Sequence, residues 1–470
     1  MRYLIILQIT LAITVNGFSQ FSDALFHTYK NQDLKLRQLS FNGVLSGGNN
    51  NSDFLYQFNG GANYSQFINR EKLQSDFASS LNIRQSKFRS DYNTGDPLSS
   101  STSISLNASK RSRRYLRNEF FYGLGYRINY GFGHSFLDGF ANSDKTEKST
   151  GHSLRIALPM SIGTGRKYPV YSVHKSMWIY SELQKNNSLR RIANVQEIEQ
   201  LAHLIDQNIY TRFFDFRYKS IDNMSRVDSL LRSQDIITSQ NISYFSMLYD
   251  MYYYSTGSNR FRGSTLEVGI IGELYYHQSK FTSSDTLQPG YDNNYRAIVP
   301  AIFAEYQYLK PINLHWQLNV GFNAEYGFNS LIDEPFGQLG SDKDLLNIQG
   351  SASVQYYPNT RSNLTLSLFA RYGNKFSNLI TNYTPVNDNF YYSDSFSYNT
   401  LSQFPLDGFS QANQFNNWFA GLNFIYYYYI SPQFRMQSNF SLNYTDQDYV
   451  ILNTDKLRAS FAVSFSYALF

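Results

Sequence analysis

The chain has no cysteine among its 470 residues, which excludes disulfide frameworks, thiolate metal sites, cysteine nucleophiles and a lipid-bearing N-terminal cysteine. It has no apolar run of the roughly 20 residues a helix needs to cross a bilayer. Charge is sparse: Asp, Glu, Lys and Arg make up 16% of the chain, and 41 basic residues against 36 acidic ones give no basic face for nucleic acid. None of the seven histidines has zinc-protease spacing. His152 and Ser153 are adjacent, so on a strand they face opposite ways and form no dyad. No catalytic residue, metal site or cofactor is therefore expected, and the chain is not expected to be an enzyme. Aromatics, by contrast, are abundant: 38 Phe, 40 Tyr and 3 Trp, far from the composition of a disordered chain.

Residues 1–19 read as a signal peptide. Arg2 supplies the positive start, Tyr3 to Val15 the apolar core, and Gly17 and Ser19 the small residues before a cut that leaves Gln20 first. Residues 20–36 then form an N-terminal arm.

Beyond the arm the dominant pattern is alternation. Over 119–132, Phe120, Tyr122, Leu124, Tyr126, Ile128, Tyr130 and Phe132 occupy one parity and Glu119, Arg127, Asn129 and three glycines share most of the other. Over 316–328, Trp316, Leu318, Val320, Phe322, Tyr326 and Phe328 oppose Gln317, Asn319, Asn323 and Glu325. Successive side chains of a strand face opposite sides, so these segments present one greasy and one polar face. Seven alternations outrun the 5–6 residues of an ordinary soluble strand. About fourteen such segments fit within 37–166 and 261–470, with twelve or sixteen as alternatives. The fold class expected is all-β: a transmembrane antiparallel β-barrel. Short links such as Tyr357-Pro358-Asn359-Thr360 alternate with long polar ones at 138–150, 281–295, 331–347 and 377–416.

In these features the chain resembles the outer-membrane β-barrel proteins of Gram-negative bacteria, a porin-like class, without the motif of a particular family. The resemblance implies an integral outer-membrane location, contact with outer-membrane lipid and insertion by the barrel-assembly machinery. It also implies short turns and both termini in the periplasm. One departure is the last residue: Phe461, Val463, Phe465, Tyr467 and Leu469 share the outer face, and Phe470 falls one place out of step.

Residues 167–260 differ in texture, with 11 basic and 9 acidic residues. Asn194 and Glu197 form a capping-box pattern, followed by Val195, Ile198, Leu201, Ala202 and Ile205 at helical spacing. Met177, Tyr180 and Leu183 suggest an earlier helix, and Ile221, Met224, Val227, Leu230 and Leu231 a later one. Such short helices need tertiary burial, which favours a helical periplasmic plug or cap over a docking module for a periplasmic protein partner. Arg166, in the Gly163-Thr164-Gly165-Arg166 link, and Arg212, Asp215 and Arg217 are its candidate anchors.

Following the polar parity gives the candidate pore lining. Glu267, Glu273, Glu305 and Glu325 lie on three neighbouring strands; Arg84, Arg127, Arg155, Arg371 and Arg435 flank them. Acids on one wall and bases on another set up a transverse field suited to small polar solutes. The expectation is a channel capped from the periplasm. The alternative is a non-conducting scaffold whose insert binds periplasmic partners and whose Tyr- and Asn-rich 377–416 loop binds something outside. A transporter of apolar compounds is disfavoured by the polar inner parity.

Overall fold

The computed structural model describes residues 24–30, 33–50, 53–89, 98–117, 119–138, 146–210, 216–238, 240–254, 260–284, 290–328, 331–333, 345–373, 417–430, 434–448 and 453–467. The signal-peptide residues, the 377–416 segment and Phe470 lie outside them.

Fourteen long strands form one antiparallel sheet in chain order, each pairing with its sequence neighbours. The first half comprises β1 (Leu34–Asn50), β2 (Asp53–Arg70), β3 (Leu73–Arg89), β4 (Leu98–Tyr115), β5 (Phe120–Asp138) and β6 (Thr146–Gly165). Next come a two-residue β7 (Tyr168–Pro169), β8 (Phe261–Ser283), β9 (Tyr291–Pro311) and β10 (Trp316–Gly327). After the three-residue β11 (Leu331–Asp333) follow β12 (Leu345–Asn359), β13 (Ser362–Gly373), β14 (Asn417–Tyr429), β15 (Phe434–Asp448) and β16 (Asn453–Tyr467). This is the up-and-down order of a β-barrel, with the expected number of long strands. β1 and β16 are the two ends of the path, and no ladder between them is among the described pairings.

Alternation sets which face is wet. Leu158, Met160 and Ile162 on β6, Leu266, Val268, Ile270 and Leu274 on β8, and Leu366 and Leu368 on β13 are exposed. Their polar alternates Glu267, Glu273, Glu305 and Glu325 are buried. A water-soluble sheet would have the opposite assignment. The exposed face also carries two aromatic rims: Trp316 packs tilted against Tyr356 at 4.5 Å, and Tyr426 lies beside Tyr428, all near the short turns. Tyr372 and Trp418, 4.7 Å apart, sit toward the other end. From Leu364, which pairs with Tyr356, to Tyr372 a tilted strand climbs roughly 20 Å, about the height of an outer-membrane apolar band.

The polar links are shorter than the sequence pattern suggests. β5 and β6 stay paired out to Asp138 and Thr146, and β8 and β9 out to Phe281 and Tyr291. The 138–150 and 281–295 loops thus begin as two-stranded ribbons, because hairpin hydrogen bonding continues after hydrophobic alternation has ceased.

Between β6 and β8 the chain leaves the sheet and returns to pair as a hairpin, Gly165 opposite Thr265. The excursion contains α2 (Tyr171–Lys185), α3 (Val195–Tyr210), α4 (Phe216–Ser233) and α5 (Ile242–Tyr253); a short α1 (Ala24–Thr28) precedes β1. It therefore stands where a short turn would. Asn194 and Glu197 close the expected reciprocal box: Glu197 N–H donates to Asn194 Oδ1 at 2.9 Å and Asn194 N–H to Glu197 Oε2 at 2.7 Å. The fourth helix, α5, is not foreshadowed by the sequence pattern. Its aromatic-rich ISYFSMLYDMYY has strand-like composition, yet Asn241 Oδ1 accepts from Tyr244 N–H at 2.9 Å to cap it.

Candidate functional site

Two constellations stand out, an ionic network on the inner wall and the neck through which the helical insert meets the barrel. In the first, Glu267 (2% exposed) is the hub. Arg111 lies 2.6 Å from Glu267 and 2.8 Å from Glu305, and Arg113 lies 3.0 Å from Glu267. Ser161 Oγ donates to Glu267 at 2.5 Å and Gln307 Nε2 to Glu305 at 2.7 Å. Glycine makes the space: a Cβ on Gly123 would fall 2.2 Å from Ser161 Oγ and 3.0 Å from Glu267 Oε1.

The pairing also reports curvature. Arg111 is on β4 and Glu305 on β9, four neighbours apart in the sheet, or roughly 19 Å along a flat surface. Both side chains fully extended reach less than that, so the sheet curls with its polar face concave. A second layer contains Arg155 paired with Glu273, and Glu325 interacts electrostatically with Arg127 and Arg155. Between the layers, inward Ile271, Phe303, Ala157 and Ala301 form a small apolar cluster.

The other lining candidates lie elsewhere. Arg84 is exposed and joins neither layer. Arg371 donates to Asn347 Oδ1 at 3.2 Å on the neighbouring strand. Arg435 sits opposite Ser466 in the ladder, and its side chain is outside the described residues. Sequence reading missed Arg111 and Arg113. Within the basic cluster 110–114 they resemble rim charges, whereas strict parity puts them opposite Asp76 and Gln74 on the polar face.

At the neck, two inward glutamines grip the departing and returning chain: Gln74 Nε2 donates to Lys167 O and Gln317 Nε2 to Phe261 O, each at 2.8 Å. Arg166 donates to Glu71 O at 2.6 Å and Asn69 Oδ1 at 2.9 Å, and to Arg70 O, while lying over the Tyr115 ring. Gly165 and Gly263 both have positive φ (92° and 112°), and a Cβ on either would fall 2.0 Å from a backbone oxygen of the other segment. Arg260, fully buried, donates to the carbonyls of Leu314, Asn313 and Trp316 at 2.6–2.8 Å and lies between the Phe26 and Tyr357 rings. Nothing in the local sequence marks it. Of the remaining anchor candidates, Arg217 begins α4 with its side chain outside the described residues, as are Arg212 and Asp215 altogether.

The helices lie across this mouth. His174 on α2 bonds Leu314 O at 2.8 Å, Trp178 packs edge-on against His315, and Asp250 on α5 pairs with Arg361 at 2.5 Å. Tyr254 meets Tyr429 of β14. The contacted turns belong to β2–β3, β9–β10 and β12–β13, with β14 beyond, which spans most of the sheet's circumference. The arm joins the same core: Leu25, Phe26 and Tyr29 are buried among helix residues, and Tyr29 OH donates to Asp206 at 2.5 Å, beside a 2.9 Å bond from Tyr171 OH. Burial pushes Asp206 up to about 6 and Lys175 down to about 8.

A curled fourteen-stranded sheet, apolar outside, ionic inside and rimmed twice with aromatics, admits one reading. The architecture is that of an outer-membrane β-barrel. No family model matches the sequence, and no curated protein resembles it. Solved structures with some likeness include the translocator domain of autotransporter NalP from Neisseria meningitidis, 9% identical with TM-score 0.32, covering 74% of this chain and 85% of that one. The ferric yersiniabactin uptake receptor FyuA from Yersinia pestis is 7% identical with TM-score 0.37, covering 88% of this chain and 50% of that one. The Pseudomonas putida toluene transporter TodX is 8% identical with TM-score 0.29, covering 96% and 95%. Likeness this faint carries nothing about solute or mechanism; the fold rests on the barrel's own ladders and faces.

Proposed function

We propose that this barrel is an outer-membrane channel for small polar solutes, closed at its periplasmic mouth by the helical insert. The observation that carries the reading is the neck. Gln74 and Gln317, on opposite sides of the insert's two connecting strands, hold that backbone inside the mouth, while α2 and α5 bridge the short turns. The polar inner wall favours ions and hydrophilic solutes over apolar ones.

Planar-bilayer recording tests it. The intact protein is expected to give small or infrequent openings, and removal of residues 167–260 to give large steady ones. Silence in both forms overturns the channel reading. A non-conducting scaffold is favoured by one observation: Ile221, Ile242 and Phe245 on α4 and α5 are exposed, a surface of the kind a periplasmic partner would cover.

A further inference from the structure

The two halves of the inner wall differ in chemistry. From β4 to β10 the inward face carries the carboxylate–guanidinium network, in which these charges pair with one another. From β12 to β15 amides, hydroxyls and rings predominate, with Arg371 and Arg435 also on the inward parity. Phe369 and Phe419 lie 5.4 Å apart on adjacent strands, on the inward parity. Gly421 is opposite both Phe369 and Asn443, and a Cβ there would fall 2.4 Å from the Phe369 ring and 2.5 Å from Asn443 Oδ1, so its bareness lets ring and amide meet. Asn423, Asn439 and Asn443 surround this place in the ladder, and their Oδ1 atoms are buried with no donor. An unpaired buried acceptor is costly, and a bound hydroxyl would satisfy it after rotation of the amide.

Building on the channel reading, we propose that this wall is a binding surface for neutral polyhydroxylated solutes, of the chemical class of linear oligosaccharides. A sugar ring presents a C–H face and a hydroxyl edge, matching a ring pair flanked by amides. The ring pair and the three amides are neutral groups that match hydroxyls and C–H faces and not a carboxylate or phosphate; Arg371, on the same face, donates to Asn347 Oδ1. Buried acceptors without a donor also occur among the ion-paired strands, at Gln307 and Asn323; what sets β12–β15 apart is three such amides close to the Phe369–Phe419 pair.

Calorimetric titration of the detergent-folded full chain with maltohexaose, cellohexaose and mannohexaose, against hexagalacturonate, tests the proposal independently of conduction. At least one neutral hexasaccharide is expected to bind with millimolar or better affinity, and hexagalacturonate more weakly. Phe419→Ala and Asn443→Ala should each weaken binding roughly three- to tenfold, as for loss of one contact or hydrogen bond, while Asn129→Ala on the other wall leaves it unchanged. Heat-dependent gel mobility checks that each variant is folded, and Asn443→Ser serves if the alanine variant is not. Failure of all three sugars to bind overturns the proposal, as does equal affinity for hexagalacturonate or indifference to both wall variants. If sugars fail but current flows in the bilayer, the solute class is wrong and the channel stands; if neither occurs, both readings fall.

Discussion

Glu267 neutralises two guanidinia away from water, so its charge is the one whose removal is most costly. Taking one partner from a buried ion pair leaves the other uncompensated, typically at about 3–5 kcal/mol. Glu267→Gln keeps the volume and the Ser161 contact but leaves Arg111 leaning on Glu305 alone, so its urea unfolding midpoint in lipid should fall clearly below wild type. An unchanged midpoint would mean the pair is solvated. Asp206 gives a pH prediction. Its folded value of about 6 is above its ordinary 3.8, so the stability it lends is complete below about 4 and disappears as pH rises through 6. Melting of the helical 222 nm signal should therefore show a component that declines from pH 4 to 7, and Asp206→Asn should remove it. Residue roles were partly legible in the sequence. Parity placed Glu267, Glu305 and Arg155 on the inner face, but which charges meet depends on curvature, a non-local property. For that reason Arg84 read like Arg155 and Arg111 read like a rim charge.

The elements differ in how openly the sequence declares them. Strands whose faces meet lipid and lumen show period two over their whole membrane height, and all fourteen were visible; their ends were not, since ribbon pairing beyond the membrane leaves no hydrophobic trace. α3 was visible through Asn194 and Glu197, and α5 was hidden because aromatic packing overrides its local propensity. The α3 box gives a direct prediction: Asn194→Ala should cost the insert about 1 kcal/mol, seen as a lower melting temperature at 222 nm with the barrel's gel mobility intact. At the neck, Gly165→Ala and Gly263→Ala each push a methyl against backbone oxygen at a positive φ. Both should loosen the insert and raise proteolysis within 167–260, whereas Gly272→Ala, with open space around its position, should not.

For the molecule as a whole, the consequence of placing a folded unit in a hairpin turn is that barrel and insert share a boundary of two short segments and several turns. Arm, helices and turns form one apolar core, from Leu25 through Met177 to Leu314. The insert therefore cannot leave without exposing it, and under the proposed capping role this favours limited tilting over ejection. An inside-out barrel requires that even-numbered residues of β8 face lipid and odd-numbered ones face the lumen. The cysteine-free chain makes this simple to measure. Single cysteines at 266, 267, 268, 270, 271, 273 and 274, carrying a fluorophore in proteoliposomes, are titrated with a lipid-borne quencher. Strong quenching at Leu266, Val268, Ile270 and Leu274 and little at Glu267, Ile271 and Glu273 is the predicted result; quenching without a two-residue period would contradict the barrel and everything placed inside it.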